Sequence, residues 1–376
     1  MSALFFFGTL CHLPLLRTVL GRDADTQPAK LNDFAVSWVQ GQAFPMIDAM
    51  PGAVAVGVVV RGLSEMDLAR LDFYTGGFTV QKRLLSVQVQ TDAVEAGAVQ
   101  ATVYFPDTSR WTPGKTWQIA DWAAVWAPTV VAAAGDIMAL YGHEDASAMV
   151  ARRGAMLVRA ASRVRAAVPT PATLRRSMQL GDVEVTSRRY PYAHFFSVEE
   201  YDLRFRQFDG TMSPVINRAT FVSGDAVTVL PYDRVRDRVL LIEQFRAGPF
   251  ARGDANPWQL EAIAGRIDPG ETPEDAARRE AVEEAGLVLG DLLPVAGYYP
   301  TPGAKAEFLY SYVALCDLPD DCAGVFGVEG EAEDIRGHLV SFDQLMDLVA
   351  SGEASNAPVV LTALWLQRER ARLRGA

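Results

Sequence analysis

The chain has 376 residues, 49% of them hydrophobic and 22% charged, with a formal net charge of -11. That length accommodates two domains with separate cores, and the composition is that of a globular chain rather than a disordered or collagenous one. The negative balance argues against a general binder of nucleic acid or of anionic membranes, and three cysteines (Cys11, Cys316 and Cys322) are too few, and odd in number, for a disulfide framework, which fits a cytoplasmic location.

The opening MSALFFFGTLCHL lacks a basic n-region and reads as a strand and turn rather than a signal peptide. Up to about residue 145 β signals dominate. ALFFFGTL, AVAVGVVVRGL, TVQKRLLSVQVQ and ATVYF read as strands, with helices expected near 12–20, 64–71 and 117–140. The most apolar run, WAAVWAPTVVAAAG at 122–135, is short for a bilayer, contains Pro128 and lies between Asp121 and Asp136, so a buried helix is expected there and no membrane partner. Residues 146–168 have helical periodicity with arginines along one side, read as a solvated face, and the prolines of PTPATLRRS mark a break. These features divide the chain into a domain at 1–145, a helical linker at 146–175 and a second domain at 176–376.

The second domain opens on VEVTSRRYPYAHFFSVEEYDLRFRQFDG, which alternates like antiparallel strands. AVTVLPYDRVRDRVLLIEQFR reads as a hairpin turning at YDRVRD. FLYSYVALC and IRGHLVSF are further strands, and FDQLMDLVASG and NAPVVLTALWLQRERARL are closing helices. Between them lies GRIDPGETPEDAARREAVEEAGL, Gly265 to Leu287. Thr272 and Asp275 form a capping-box pattern, Pro273 suits the first helical position, and Gly286 suits the left-handed C-terminal one. Glu280, Glu283 and Glu284 stand at i, i+3 and i+4, so their side chains share a face and repel by a few tenths of a kcal/mol per pair. A positive group is expected between them. A rigid helix carrying several carboxylates suits a hard divalent cation such as Mg²⁺, which takes oxygen ligands and is usually shared with substrate phosphates.

The run Gly265, Glu271, Arg279-Glu280-Ala281-Val282-Glu283-Glu284-Ala285-Gly286-Leu287 resembles the Nudix box, with Ala281 where a larger aliphatic residue is usual. The resemblance implies hydrolysis of a nucleoside diphosphate linked to another moiety. It implies Glu280, Glu284 and the carbonyl of Ala264 as metal ligands, with Glu283 beside them among the catalytic acids. It gives Gly265, Glu271, Arg279 and Gly286 structural roles, Glu271 and Arg279 as a bracing pair. The flanks LLIEQFR, PWQLEAIAG, EGEAEDI and NAPVVLTALWLQ resemble bacterial ADP-ribose diphosphatases of the same family. From that likeness Arg246 and Arg218 are expected at the substrate's diphosphate, with Glu261 near it. Glu331, with Glu333 as the alternative, is expected as the base on a loop. The likeness also implies a homodimer whose early strands help bind adenine, a region that here holds Tyr190, Tyr192, Phe195 and Phe196.

LFFFGTL, PGAVAVGVVVRGL and LDFYTGGFTVQKRLLSVQV resemble the γ-glutamylcyclotransferase-like fold, a small β-barrel in which the loop Gly8-Thr9-Leu10 would present backbone N–H groups to a substrate carboxylate. The active family carries a glutamate where this sequence has Thr75. A threonine hydroxyl does not shuttle protons near neutral pH, and Asp72 lies three residues earlier. No cyclotransferase activity is expected. The fold class expected for the chain is therefore α+β in two domains, a small mixed β-barrel followed by a Nudix α/β/α sandwich. The expected activity is hydrolysis of ADP-ribose, a small-molecule nucleotide sugar, with Mg²⁺ or Mn²⁺. The alternatives are another nucleotide sugar or dinucleotide, or an ADP-ribose sensor without turnover.

Overall fold

The computed structural model describes residues 3–76, 81–90, 95–106, 111–327 and 334–375. Two compact units are present, Met1–Pro171 and Ala172–Ala376.

The first unit contains β1 (Leu4–Phe6), α1 (Leu13–Leu20), β2 (Thr26–Val39), β3 (Pro45–Val60), α2 (Glu65–Thr75), β4 (Gln81–Gln90), β5 (Glu95–Phe105), β6 (Pro113–Thr116), α3 (Ile119–Val125), α4 (Ala127–Ala139), α5 (Ala146–Val150) and α6 (Arg153–Ala166). The sheet runs β3-β1-β5-β4-β2-β6, and β2 also pairs with β3, so five strands close into a barrel. Side chains alternate across β1. Phe5 enters the barrel interior with Leu31, Val59 and Val103, while Leu4 and Phe6 face a helical layer built on Leu16, Leu71, Trp122 and Ile137. Ser64 and Asp67 close a full capping box at the start of α2.

Three features depart from the sequence expectations. Strand β2 was not expected, because Pro28, Asn32 and Asp33 interrupt any alternation. It forms through long antiparallel pairing with β3, with a bulge between Asn32 and Phe34 where Asp33 takes a positive φ of 63°. The apolar run near 117–140 is two helices bent by 77°, since Pro128 cannot continue a helix and instead sits in the first turn of the next. The arginine-rich segment is only partly solvated: Arg159 is buried, Arg163 pairs with Asp136 and Arg152 with Glu144. Met149 and Met156 of this segment join the first unit's helical core. Among the described residues no single helix is long and apolar enough to cross a membrane.

The second unit contains β7 (Val183–Ala193), β8 (Ser197–Phe205), β9 (Ile216–Val222), β10 (Ala226–Asp233), β11 (Arg238–Phe245), α7 (Ala247–Arg252), β12 (Trp258–Glu261), β13 (Ile263–Arg266), α8 (Pro273–Ala285), β14 (Leu292–Tyr298), β15 (Lys305–Ala306), β16 (Leu309–Leu315), β17 (Val325–Phe326), β18 (Ile335–Ser341), α9 (Phe342–Ser351) and α10 (Ala357–Arg374). One sheet runs β14-β16-β10-β11-β18-β17, with β12 on β11 and β13 on β10; a four-stranded sheet runs β15-β9-β8-β7. The larger sheet is covered on both faces, which is why its central strands are apolar throughout. Val227, Val229, Leu240 and Ile242 pack under α8, and Leu230, Tyr232, Val239 and Leu241 pack under α9 and α10. The molecule is thus α+β, a closed barrel unit followed by an α/β/α sandwich.

Candidate active site

Helix α8 forms as its ends direct. The hydroxyl of Thr272 accepts from the N–H of Asp275 at 3.1 Å and donates to its carboxylate at 2.7 Å, and Pro273 opens the first turn. At the other end Gly286 has φ 61°, the left-handed region, and its N–H bonds back to Val282. The buried side of the helix is Ala276, Ala277, Ala281 and Ala285. Such small residues bring the helix axis close to the sheet, and Ala281 at a position usually larger is part of that close approach.

The consequence is visible at Gly265. It pairs with Val227 on β10, on the sheet face that α8 covers. A Cβ there would lie 1.8 Å from Oε1 and 1.9 Å from Cδ of Glu280. Only hydrogen leaves space for that carboxylate. Next along β13, the N–H of Ala264 donates to Glu284 Oε2 at 2.9 Å, a bond that a nearly buried carboxylate requires. The strand β13 therefore fixes two of the three helix acids by its backbone.

Arg279 supplies the positive group that the clustered acids demand. Its Nη1 donates to Glu280 Oε1 at 2.7 Å and to Glu283 Oε2 at 2.9 Å. Its Nε and Nη2 bond both oxygens of Glu271 at 3.0 and 3.1 Å, and Nη2 also reaches the carbonyl of Arg266 at 2.9 Å. Burial by itself would lower the pKa of this guanidinium. The hydrogen bonds and charges of Glu271 and Glu280 outweigh that and raise it. Glu271 in turn accepts from the N–H of Asp268 at 3.0 Å, so the loop before α8 hangs on the same arginine. The family pattern pairs Arg279 with Glu271, and the i, i+4 spacing to Glu283 is the sequence sign of this second role.

Arg246 and Glu261 are brought together. The strand β11 ends at Phe245, and β12 returns beside it so that Ile242 pairs with Glu261. Glu261 Oε2 accepts from Arg246 Nε at 2.8 Å and lies 2.6 Å from Nη2, with the arginine still partly exposed. Arg218 is exposed on β9 in the four-stranded sheet, opposite Tyr201 and bonded to the Asn217 carbonyl at 2.7 Å. Of the aromatic residues singled out in the early strands, Phe195 and Phe196 pack on Arg266, whose guanidinium carbon is 3.8 and 4.9 Å from their ring centres. That contact joins the four-stranded sheet to the residue after Gly265 and was not foreseen. Glu331 and Glu333 lie outside the described residues.

Among the described residues no three His, Cys, Asp or Glu side chains converge as a ready metal cage. The hydrogen bonds explain this: Glu280 and Glu283 are turned to Arg279, and Glu284 to Ala264. The donor chemistry still fits a hard cation, because the carboxylates of Glu280 and Glu284 and the adjacent carbonyl of Ala264 are all oxygen ligands.

The NUDIX domain family model matches residues 222–362, and the model described as gamma-glutamyl cyclotransferase, AIG2-like, matches 4–124. The ADP-ribose pyrophosphatase of Escherichia coli K12 is 42% identical over 186 residues, which are 50% of this chain and 88% of the relative. The chain belongs to the Nudix family. The ADP-ribose pyrophosphatase of Haemophilus influenzae is 32% identical over 194 residues, 51% of this chain and 89% of that relative. The GDP-mannose pyrophosphatase of Yersinia pestis is 29% identical over 174 residues, 46% of this chain and 86% of that relative. Membership in the Nudix family brings with it dependence on a divalent metal, and the amino-terminal match makes this Nudix chain a fusion with a cyclotransferase-like domain.

Proposed function

We propose that the second unit hydrolyses ADP-ribose to AMP and ribose 5-phosphate, with Mg²⁺ as the working ion and Mn²⁺ able to replace it. The observation that carries this reading is the acid-bearing helix seated on Gly265, with the Arg246–Glu261 pair at the end of the adjoining β11–β12 hairpin. It occurs in a chain 42% identical to an ADP-ribose pyrophosphatase over 186 residues.

In this reading Glu280, Glu284 and the Ala264 carbonyl would hold the cation. When bound, the cation polarises phosphoryl oxygens and acidifies water. The chain's own residues do the rest. Glu280 is confined by its fit over Gly265 and Glu284 by the Ala264 N–H, which keeps both acids beside β13. Arg279 keeps Glu283 and Glu280 from repelling one another. Arg246, aimed by Glu261, binds the diphosphate through the planar fork that suits such oxygens. A water oxygen bonds to one phosphorus, the bridging P–O bond breaks, and two phosphate monoesters leave. We assign the water's proton to Glu331, with Glu333 as the alternative, on the family likeness of their loop. Arg218 we assign to the diphosphate on the same ground. We further propose a cytoplasmic homodimer formed through the second unit; light scattering of the purified chain at twice the monomer mass checks the dimer.

Chromatography of products from ADP-ribose in ¹⁸O-labelled water tests the reaction. AMP and ribose 5-phosphate are expected, one of them carrying the label. ADP-ribose that binds and stays intact would establish a sensor instead. The 29% likeness to a GDP-mannose pyrophosphatase gives a second reading, hydrolysis of another nucleotide sugar. Comparing kcat/KM for ADP-ribose and GDP-mannose decides between them.

A further inference from the structure

The first unit holds a pocket of its own, with about 130 Å³ of space for water-sized molecules. Its wall is strongly apolar: Phe7, Phe44, Pro45, Tyr74, Tyr104 and Leu157 all line it. The loop Gly8-Thr9-Leu10 and Thr75 also face it, so the place where the cyclotransferase-like fold works is retained without its acid. Thr75 Oγ1 donates to the Leu71 carbonyl at 2.7 Å within α2. Asp72 is not in the wall; it is held by Lys82 Nζ at 2.6 and 2.7 Å and by the Tyr104 hydroxyl at 2.9 Å. No carboxylate among the lining residues is available to move a proton.

One lining residue carries charge, and it does not come from the cyclotransferase-like segment. The family match ends at residue 124, whereas Val130, Arg153 and Leu157 come from α4 and α6 beyond it. Arg153 Nη1 donates to the Tyr74 carbonyl at 3.3 Å, and its guanidinium carbon stands 4.9 Å from the centre of the Tyr74 ring. A half-buried guanidinium stacked on an aromatic wall is placed for an anion at one end of an apolar body.

We propose that this pocket binds, without turning over, a small aromatic or aliphatic carboxylic acid whose carboxylate meets Arg153. The acid lost at Thr75 and the cation gained from α6 make the same exchange: a reaction centre becomes a charged receptor for an apolar anion. A ligand of this class packs its body on Phe7, Phe44 and Tyr104 and its carboxylate at the fork of Arg153.

Calorimetric titration of the full-length protein with phenylacetate, 3-phenylpropanoate, hexanoate and the matching neutral amides tests this. At least one acid should bind, at least about tenfold tighter than its amide, the size of effect set by a charge-assisted bond. Arg153→Gln should remove that preference, and Arg153→Lys should keep part of it. Unchanged ADP-ribose turnover and circular dichroism show that a variant is folded. Should Arg153→Gln not fold, the acid-over-amide preference of the unaltered chain and its retention in Arg153→Lys decide the matter. Absence of binding by every acid, equal binding of acids and amides, or undiminished preference in a folded Arg153→Gln chain would each overturn the proposal. So would release of 5-oxoproline from γ-glutamyl substrates.

Discussion

The two units treat their carboxylates in opposite ways. In the second unit Glu271, Glu280 and Glu283 crowd around one guanidinium, Glu284 is held by a backbone N–H, and a glycine leaves the space in which Glu280 lies against the sheet. In the first unit the acids of α2 serve the scaffold: Asp67 caps α2 and pairs with Arg22, and Asp72 is taken up by Lys82 and Tyr104. A fold can keep its backbone after the acid that gave it chemistry is replaced, because barrel closure depends on apolar alternation and strand pairing. A hydrolytic centre has no such reserve, since each oxygen ligand has its own task.

That contrast can be broken at several points. The largest effect is expected from Glu284→Gln, which should lower kcat for ADP-ribose by about 10³-fold, of the order seen when a charge-stabilising group is removed, with the melting temperature little changed. Gly265→Ala should lower kcat by about 10²-fold, because its Cβ would displace Glu280. Urea titration should also show a loss of about 1–3 kcal/mol from overpacking. Arg246→Lys keeps the charge and loses the fork, so KM for ADP-ribose should rise by about tenfold, read from initial rates. In the first unit the Arg22 hydrogen bond, joined by those of Ser64, holds Asp67 down at about 2 against the push of burial. A depressed folded-state pKa contributes stability above the unfolded value near 3.8, and that contribution is lost as pH falls toward about 2. Asp67→Asn should therefore cost about 1–2 kcal/mol at pH 7 and only a small part of that at pH 2, measured by denaturant titration at both. The smallest effect is a null one: Thr75 leaves no 5-oxoproline release to detect from γ-glutamyl substrates at any pH tested.

Elements are legible in the sequence where the chain carries its own punctuation. Thr272, Pro273 and Gly286 bracket α8 at 273–285, and the YDRVRD turn joins β10 to β11 with Asp237 at a positive φ of 56°. What stayed hidden depended on distant partners. Strand β2 exists because β3 lies beside it, and the bend at Trp126 sets two short helices where one apolar run is written. At the site, the motif gave the acids by residue type. It did not give the bond from Ala264 to Glu284 or the stacking of Phe195 on Arg266, because pairing across a sheet and packing between sheets have no local spacing.

The guanidinium of Arg279 has a practical consequence. Because an internal cation already balances the helix acids, the fold need not borrow its counter-charge from solution, unlike small domains that unravel when their metal is stripped. A chelator should act on this protein as a switch for turnover alone, reversible on adding back the ion, so the polypeptide can persist intact through periods of scarcity.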